Sequence, residues 1–375
     1  MIEKAKNQNK LYSVDFIRFI FSAVIVYYHI FHTNIKSVAE GLPMYEKLFA
    51  DCAFGGAAVE CFFIISGYFL YKSFRKRPDI SVTEFAYNKF ARLWPVVAVY
   101  CLISIVLFGF DGYDALYHLL FLQAAGFKTK VTGILWYISP LFIVMVFMFA
   151  FYKNTKDKKK YNLFLAAAVY FSYVMVINDC GKVFGRDNIY GIFSLSVLRA
   201  VAGIGLGYLV AVLQKQIESL DFVKKFKGTR VTNTLIFAAV SVVEITSFYY
   251  LMRYFLDSRN SYDQQFISVI LFTAFFACLL TKRGIFTLIF NNKFFGFFGK
   301  YAYSIYVMQQ ISFNILKRTL WQNTDYVSSH FLRTVLISAA FAVVLGTVTY
   351  YAVEKPCSIL LSKFGRKLFA KSGRE

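Results

Sequence analysis

Long apolar blocks alternate with short polar segments along the whole chain. Ten largely apolar stretches can be marked, at 14–33, 54–71, 93–110, 134–152, 162–178, 194–213, 234–252, 264–281, 302–316 and 334–353. An α-helix needs roughly 17–25 such residues to cross the hydrocarbon of a bilayer. Each stretch therefore reads as a transmembrane helix, the ninth being short and interrupted by Gln309 and Gln310. The segments between are too short to fold as domains, and no internal repeat is visible. The pattern predicts an all-α fold, a polytopic membrane helix bundle of about ten transmembrane helices forming one domain over 1–375. The first block lacks a small-residue cleavage site and reads as a retained helix.

Composition supports lipid as the solvent. Hydrophobic residues make up 58% of the chain and charged ones only 17%, where soluble domains carry about 25% charged residues. The net charge of +21 would point to nucleic acid on a soluble protein. Here the basic residues sit in short runs between apolar blocks, such as Arg75-Lys76-Arg77 and Lys158-Lys159-Lys160. With the N-terminus inside, the inner segments hold 29 of the 42 Lys and Arg residues. By the positive-inside rule, both termini face the cytoplasm, and nucleic acid is not expected as a partner. Six cysteines occur without a C-x-x-C spacing, so no metal is expected. Cys52 and Cys180 alone fall in outer loops and can pair.

A charge within the hydrocarbon is costly and marks a functional site by default. Asp15, Arg18, His29, Glu60, Arg199 and Glu244 qualify. Arg18 and His29 are eleven residues apart, which is close to three helical turns. They share one face, roughly 16 Å apart along the axis, and Asp15 lies one turn before Arg18. That face carries a cation near the cytoplasmic mouth and a titratable base deeper in the membrane, and His is the side chain suited to proton transfer near neutral pH. Glu60 sits at a similar depth on the second helix, where a carboxylate can hold His29 in one tautomer. Lys89 and Arg92, one turn apart at the inner end of the third helix, can clamp the phosphates of a cytosolic cofactor.

Six stretches together resemble the acyltransferase 3 family of membrane O-acyltransferases. They are Ser13-Val14-Asp15-Phe16-Ile17-Arg18 with His29; Val59-Glu60-Cys61-Phe62-Phe63-Ile64-Ile65-Ser66-Gly67-Tyr68; Lys89-x-x-Arg92-Leu93-Trp94-Pro95; Leu135-Trp136-Tyr137-Ile138-Ser139; Tyr303-Ser304-Ile305-Tyr306; and Val353-Glu354-Lys355-Pro356. They fall in family order and span nearly the whole chain. The resemblance implies acetyl-CoA or another acyl-CoA as a donor bound from the cytoplasm. It implies a sugar hydroxyl of an extracytoplasmic glycan or lipid-linked sugar as acceptor, and a multi-pass protein of a bacterial cell membrane. Arg18 and His29 match the family's first-helix pair. Gln309 departs from it, standing where the family often has a second His, and Glu60 stands where it often has Asp.

These readings converge on His29 as general base or transient acyl carrier, Glu60 as its orienting carboxylate, and Arg18 beside the donor. Lys89 and Arg92 are expected at the donor phosphates. Trp136, Tyr137, Arg199 and Tyr303 are candidates for lining the substrate cavity. Two other classes stay open: a transporter or flippase for a lipid-linked glycan, which also uses intramembrane charge, and a non-catalytic partner in glycan assembly.

Overall fold

The computed structural model describes residues 11–50, 55–123, 133–180, 188–189, 193–219, 230–256 and 262–372. All ten apolar stretches are helical. The helices are α1 (Tyr12–His29), α2 (Gly55–Lys76), α3 (Val82–Phe108), α4 (Ile138–Asn154), α5 (Lys158–Cys180), α6 (Leu195–Ser219), α7 (Arg230–Leu256), α8 (Tyr262–Thr281), α9 (Ala302–Lys317) and α10 (Phe331–Thr349), with a terminal α11 (Lys355–Ser372). Eight helical stretches among the described residues are long and apolar enough to cross a membrane. The apolar part of α8, Gln265–Thr281, is shorter, and α9 has 16 residues with Gln309 buried in its middle. A two-residue antiparallel pair joins Asn188–Ile189 with Phe193–Ser194. Cys52 lies outside the described residues, and with it the expected pairing to Cys180.

Sequence chemistry sets the helix limits. Ser81 caps α3 by accepting from the Glu84 amide at 3.0 Å, and the helix ends at Gly109 with φ +68°, the left-handed conformation that glycine adopts without steric cost. Several helices are entered or left through a tighter or wider turn. A 3₁₀ turn at Ile134–Tyr137 precedes α4, and π-helical turns follow α1 at Ile30–Asn34 and α10 at Tyr350–Glu354.

α2 is the most buried helix and packs along α6. A methyl group at Gly67 would overlap the Ile204 carbonyl, and one at Gly207 would overlap the Ile64 carbonyl. The two backbones thus touch reciprocally through small residues, as helices do where lipid offers no hydrophobic drive for association. α1 packs against α2 and α9, and α9 against α3 and α10. The core is strongly aromatic, with Phe21, Phe63, Phe272, Phe275 and Phe276 fully buried. The intramembrane Glu244 has a structural task. Its carboxylate accepts from the Phe286 amide at 2.8 Å while Ser241 accepts from that of Ile285 at 3.1 Å, holding the start of the short helix Ile285–Phe290.

Candidate functional site

α1, α2, α3, α4 and α9 enclose a cavity of about 220 Å³. Asp15 and Arg18 reach it from α1, Ser66 from α2, Lys89 and Arg92 from α3, and Tyr303 and Tyr306 from α9, with Tyr137 from the turn before α4. Residues separated by most of the chain thus bring three cations to one concavity. Arg18 is paired with Asp15 at 3.7 Å, and Arg92, Tyr137 and Glu354 also act on it electrostatically. The Lys89 ammonium lies 5.3 Å from the Phe85 ring centre, while Arg92 is exposed at the mouth. Three cations against Asp15 make the cavity positive, suited to phosphate or another anion. Glu354, from the closing motif of the sequence, accepts from the Ser304 hydroxyl at 2.5 Å, so the fifth and sixth motifs meet directly.

Tyr303 donates to the Leu93 carbonyl at 2.6 Å, and Tyr306 donates to the Ile134 carbonyl. Both bonds fix α9 against the elements across the cavity. One turn beyond Tyr306 on the same face of α9 stands Gln309, fully buried. Its amide Nε2 donates to the Tyr306 carbonyl at 2.9 Å, and its Oε1 lies 3.2 Å from His29 Nδ1. The first bond orients the amide so that its oxygen faces the ring. His29 Nδ1 is then the donor, and the lone pair of the neutral imidazole is on Nε2. His29 closes α1 just before the π-turn, and its carbonyl accepts from Asn34 at 2.7 Å. Such turns interrupt helices frequently at functional sites. The stripe Tyr303–Tyr306–Gln309 therefore runs from the basic cavity to His29.

The placement of Glu60 differs from expectation. Its carboxylate is not the group that orients His29. Glu60 Oε2 accepts from Arg199 Nε and Nη2, both at 3.4 Å, and Oε1 accepts from the Tyr173 hydroxyl at 2.7 Å. A Cβ on Gly203 would lie 2.7 Å from the same carboxylate, so that glycine makes room for it. Arg199, expected near substrate, is instead the counter-ion of Glu60, with both side chains almost wholly buried at 1% and 2% exposure. Trp136, expected along the cavity with Tyr137, covers this ion pair, its ring 5.0 Å from the Arg199 guanidinium carbon. The reason is rotational. Trp136 and Tyr137 are adjacent on a tight turn and, although both touch Phe63, they diverge beyond it, Tyr137 to Tyr306 and the cavity, Trp136 to Arg199.

The sequence reading missed Tyr173, Tyr306 and the positive role of Gln309. The three-residue spacing of Tyr303, Tyr306 and Gln309 was a visible signal for the last two. Tyr173 sits in an apolar block with no distinguishing mark.

A family model described as an acyltransferase domain matches residues 11–352. The chain belongs to the acyltransferase 3 family. The match takes in every motif up to the π-turn after α10, and no curated protein matches the chain. The basic cavity, the histidine and the buried ion pair are thus features of a multi-pass membrane acyltransferase. In this acyltransferase Gln309 is the direct partner of the first-helix histidine, and the two cavity tyrosines are held by backbone carbonyls on facing elements.

Proposed function

We propose that this acyltransferase moves an acyl group, acetyl in the simplest case, from cytosolic acyl-CoA to a hydroxyl of an extracytoplasmic glycan or glycolipid. The observation that carries the reading is the continuity from the basic cavity, through Tyr303, Tyr306 and Gln309, to His29. The abundance of Lys and Arg in the inner segments orients Lys89 and Arg92 toward the cytoplasm, with both chain termini on that side. In this reading the ten helices all cross the membrane of a bacterial cell. Lys89 and Arg92 bind the donor phosphates, and Arg18 lies along the path of the acyl arm. His29 Nε2 takes the proton of the acceptor hydroxyl as its oxygen attacks the thioester carbonyl. The carbon–sulfur bond breaks, an ester forms, and the proton leaves with the CoA thiol. Gln309 holds the ring in the tautomer that this step needs.

The donor assignment is tested with purified protein in liposomes and labelled acetyl-CoA. Lys89→Ala and Arg92→Ala are each expected to raise KM about tenfold, the loss of one charge-assisted contact to phosphate, with kcat little changed. Wild-type protein that binds no CoA would sink the donor assignment and bring the transporter reading forward.

Gln309 yields a separate expectation. Gln309→Leu removes the acceptor from His29 Nδ1, and kcat should fall about 10–100-fold, by analogy with the loss of a hydrogen-bond partner that orients a metal-bound histidine. Gln309→Glu keeps an acceptor oxygen at the same place and should retain most of the activity. Equal activity in Gln309→Leu and wild type would show that the tautomer is set by something else.

A further inference from the structure

A second cavity, of about 990 Å³, lies between α5, α6 and α8. Its floor is Leu206 and Val210 of α6, and its walls are Val169 and Ile177 of α5 with Ile270 and Ala277 of α8. α5 and α8 both pack on α6 and leave this gap between them. The gap is open at the side, where Tyr170 and Ile270 are 64% and 53% exposed. An apolar space of this size offers water almost no hydrogen-bonding partners, and leaving it empty would forfeit the dispersion contacts of every wall.

The polar lining is concentrated at one end. Gln214, Glu218, Thr281 and Arg283 gather where α6 and α8 finish. Gln214 Nε2 donates to the Leu280 carbonyl at 2.6 Å and to Glu218 Oε1 at 3.1 Å, tying the two helix ends together. The Arg283 guanidinium forms no ion pair among the described residues. The end therefore presents one available cation beside one carboxylate. At the far end stands Tyr173, whose hydroxyl donates to Glu60. Along α8 the lining runs from Phe266 to Thr281, about 22 Å at 1.5 Å per residue. That exceeds one leaflet, half of a hydrocarbon core about 30 Å thick, and matches an extended acyl chain entering from the polar end.

We propose that this groove is a binding site for one phospholipid of the cytoplasmic leaflet, with an acyl chain along α6 and an ethanolamine headgroup at the polar end. The phosphate meets Arg283 and the ammonium meets Glu218, a complementarity that neither a lipid with only anionic groups nor one with an uncharged headgroup satisfies. The chain end abuts Tyr173, so the lipid supports the Glu60–Arg199 pair from the side opposite the basic cavity. The site does not depend on the acyl-transfer reading.

The test is lipid analysis of full-length protein after exchange into mild detergent, with native mass spectrometry for stoichiometry. About one phosphatidylethanolamine per chain is expected on the wild type. Ala277→Trp, which fills the groove, should reduce retention at least tenfold. Arg283→Glu, at the headgroup end and away from the packed walls, should do the same, and added phosphatidylethanolamine should raise the Tm of the wild type but not of either variant. If Ala277→Trp does not fold, Arg283→Glu carries the test alone. The proposal fails if the wild type retains no lipid, or if Arg283→Glu retains as much as the wild type. It also fails if the retained lipid is a polyprenyl phosphate or lacks a phosphate, or if the groove is covered by a second copy in a lipid-free dimer.

Discussion

His29→Ala should abolish acyl transfer, with kcat falling by about 10²–10⁴-fold, the contribution of a positioned general base. The variant should fold, because His29 is partly exposed and its Gln309 partner keeps the amide bond to the Tyr306 carbonyl. Binding of CoA should persist, because the basic cavity is lined by Arg18, Lys89 and Arg92 and not by His29. The measurement is turnover of labelled acetyl-CoA beside equilibrium CoA binding, wild type and variant in the same liposomes. Loss of turnover with binding intact places His29 in the chemical step. Undiminished turnover would remove His29 from the mechanism, and the proton would have to be taken by another group. A labelled acyl-protein that disappears in the variant would instead mark His29 as a transient acyl carrier.

Arg199→Ala should destabilise the protein by about 3–5 kcal/mol, the cost of stranding one partner of a buried ion pair. Glu60 would keep only the Tyr173 hydrogen bond, and its charge would sit in a wall formed by Gly203, Phe63 and Trp136 with no counter-ion. The expected readout is a large fall in Tm and in the yield of monodisperse protein. The double variant Glu60→Gln, Arg199→Met removes both charges and keeps the volume. It should recover most of the stability, since replacing a buried pair by groups of similar size is often close to neutral. Its activity then separates two roles for Glu60. Recovery of turnover with stability makes the pair structural, whereas stable but inactive protein gives Glu60 a part in the chemistry. A single Arg199→Ala variant as stable as wild type would refute the ion-pair account altogether.

Much of the candidate site was legible in the sequence because it is local. Arg18 and His29 share a helix face by simple periodicity, and Lys89 and Arg92 fall one turn apart where α3 begins. Tyr137 and Tyr303, both lining candidates from the sequence, line the basic cavity. Glu60 is the buried intramembrane carboxylate that the sequence predicts, but its partners are Arg199 and Tyr173 and not His29. Equal depth in the membrane does not imply contact, because two residues at one level can face opposite sides of their helices. In the sequence Gln309 stands out only as a departure from the family pattern. Its contact with His29 joins residues 280 apart in sequence, and the Glu60–Arg199 pair joins residues 139 apart.

The sequence by itself determined that this chain is an all-α membrane protein, where its helices lie, and which residues carry charge into the bundle. Those properties follow from hydropathy, length and helical period, which act over twenty residues or fewer. Only the tertiary structure decided which charged group meets which: that α2 presents Glu60 to Arg199 and Tyr173, and that α9 presents Gln309 to His29. It also decided that α5, α6 and α8 leave a groove between them. Each depends on the rotation and vertical register of one helix against another, and these are set by side-chain packing between segments far apart in the chain.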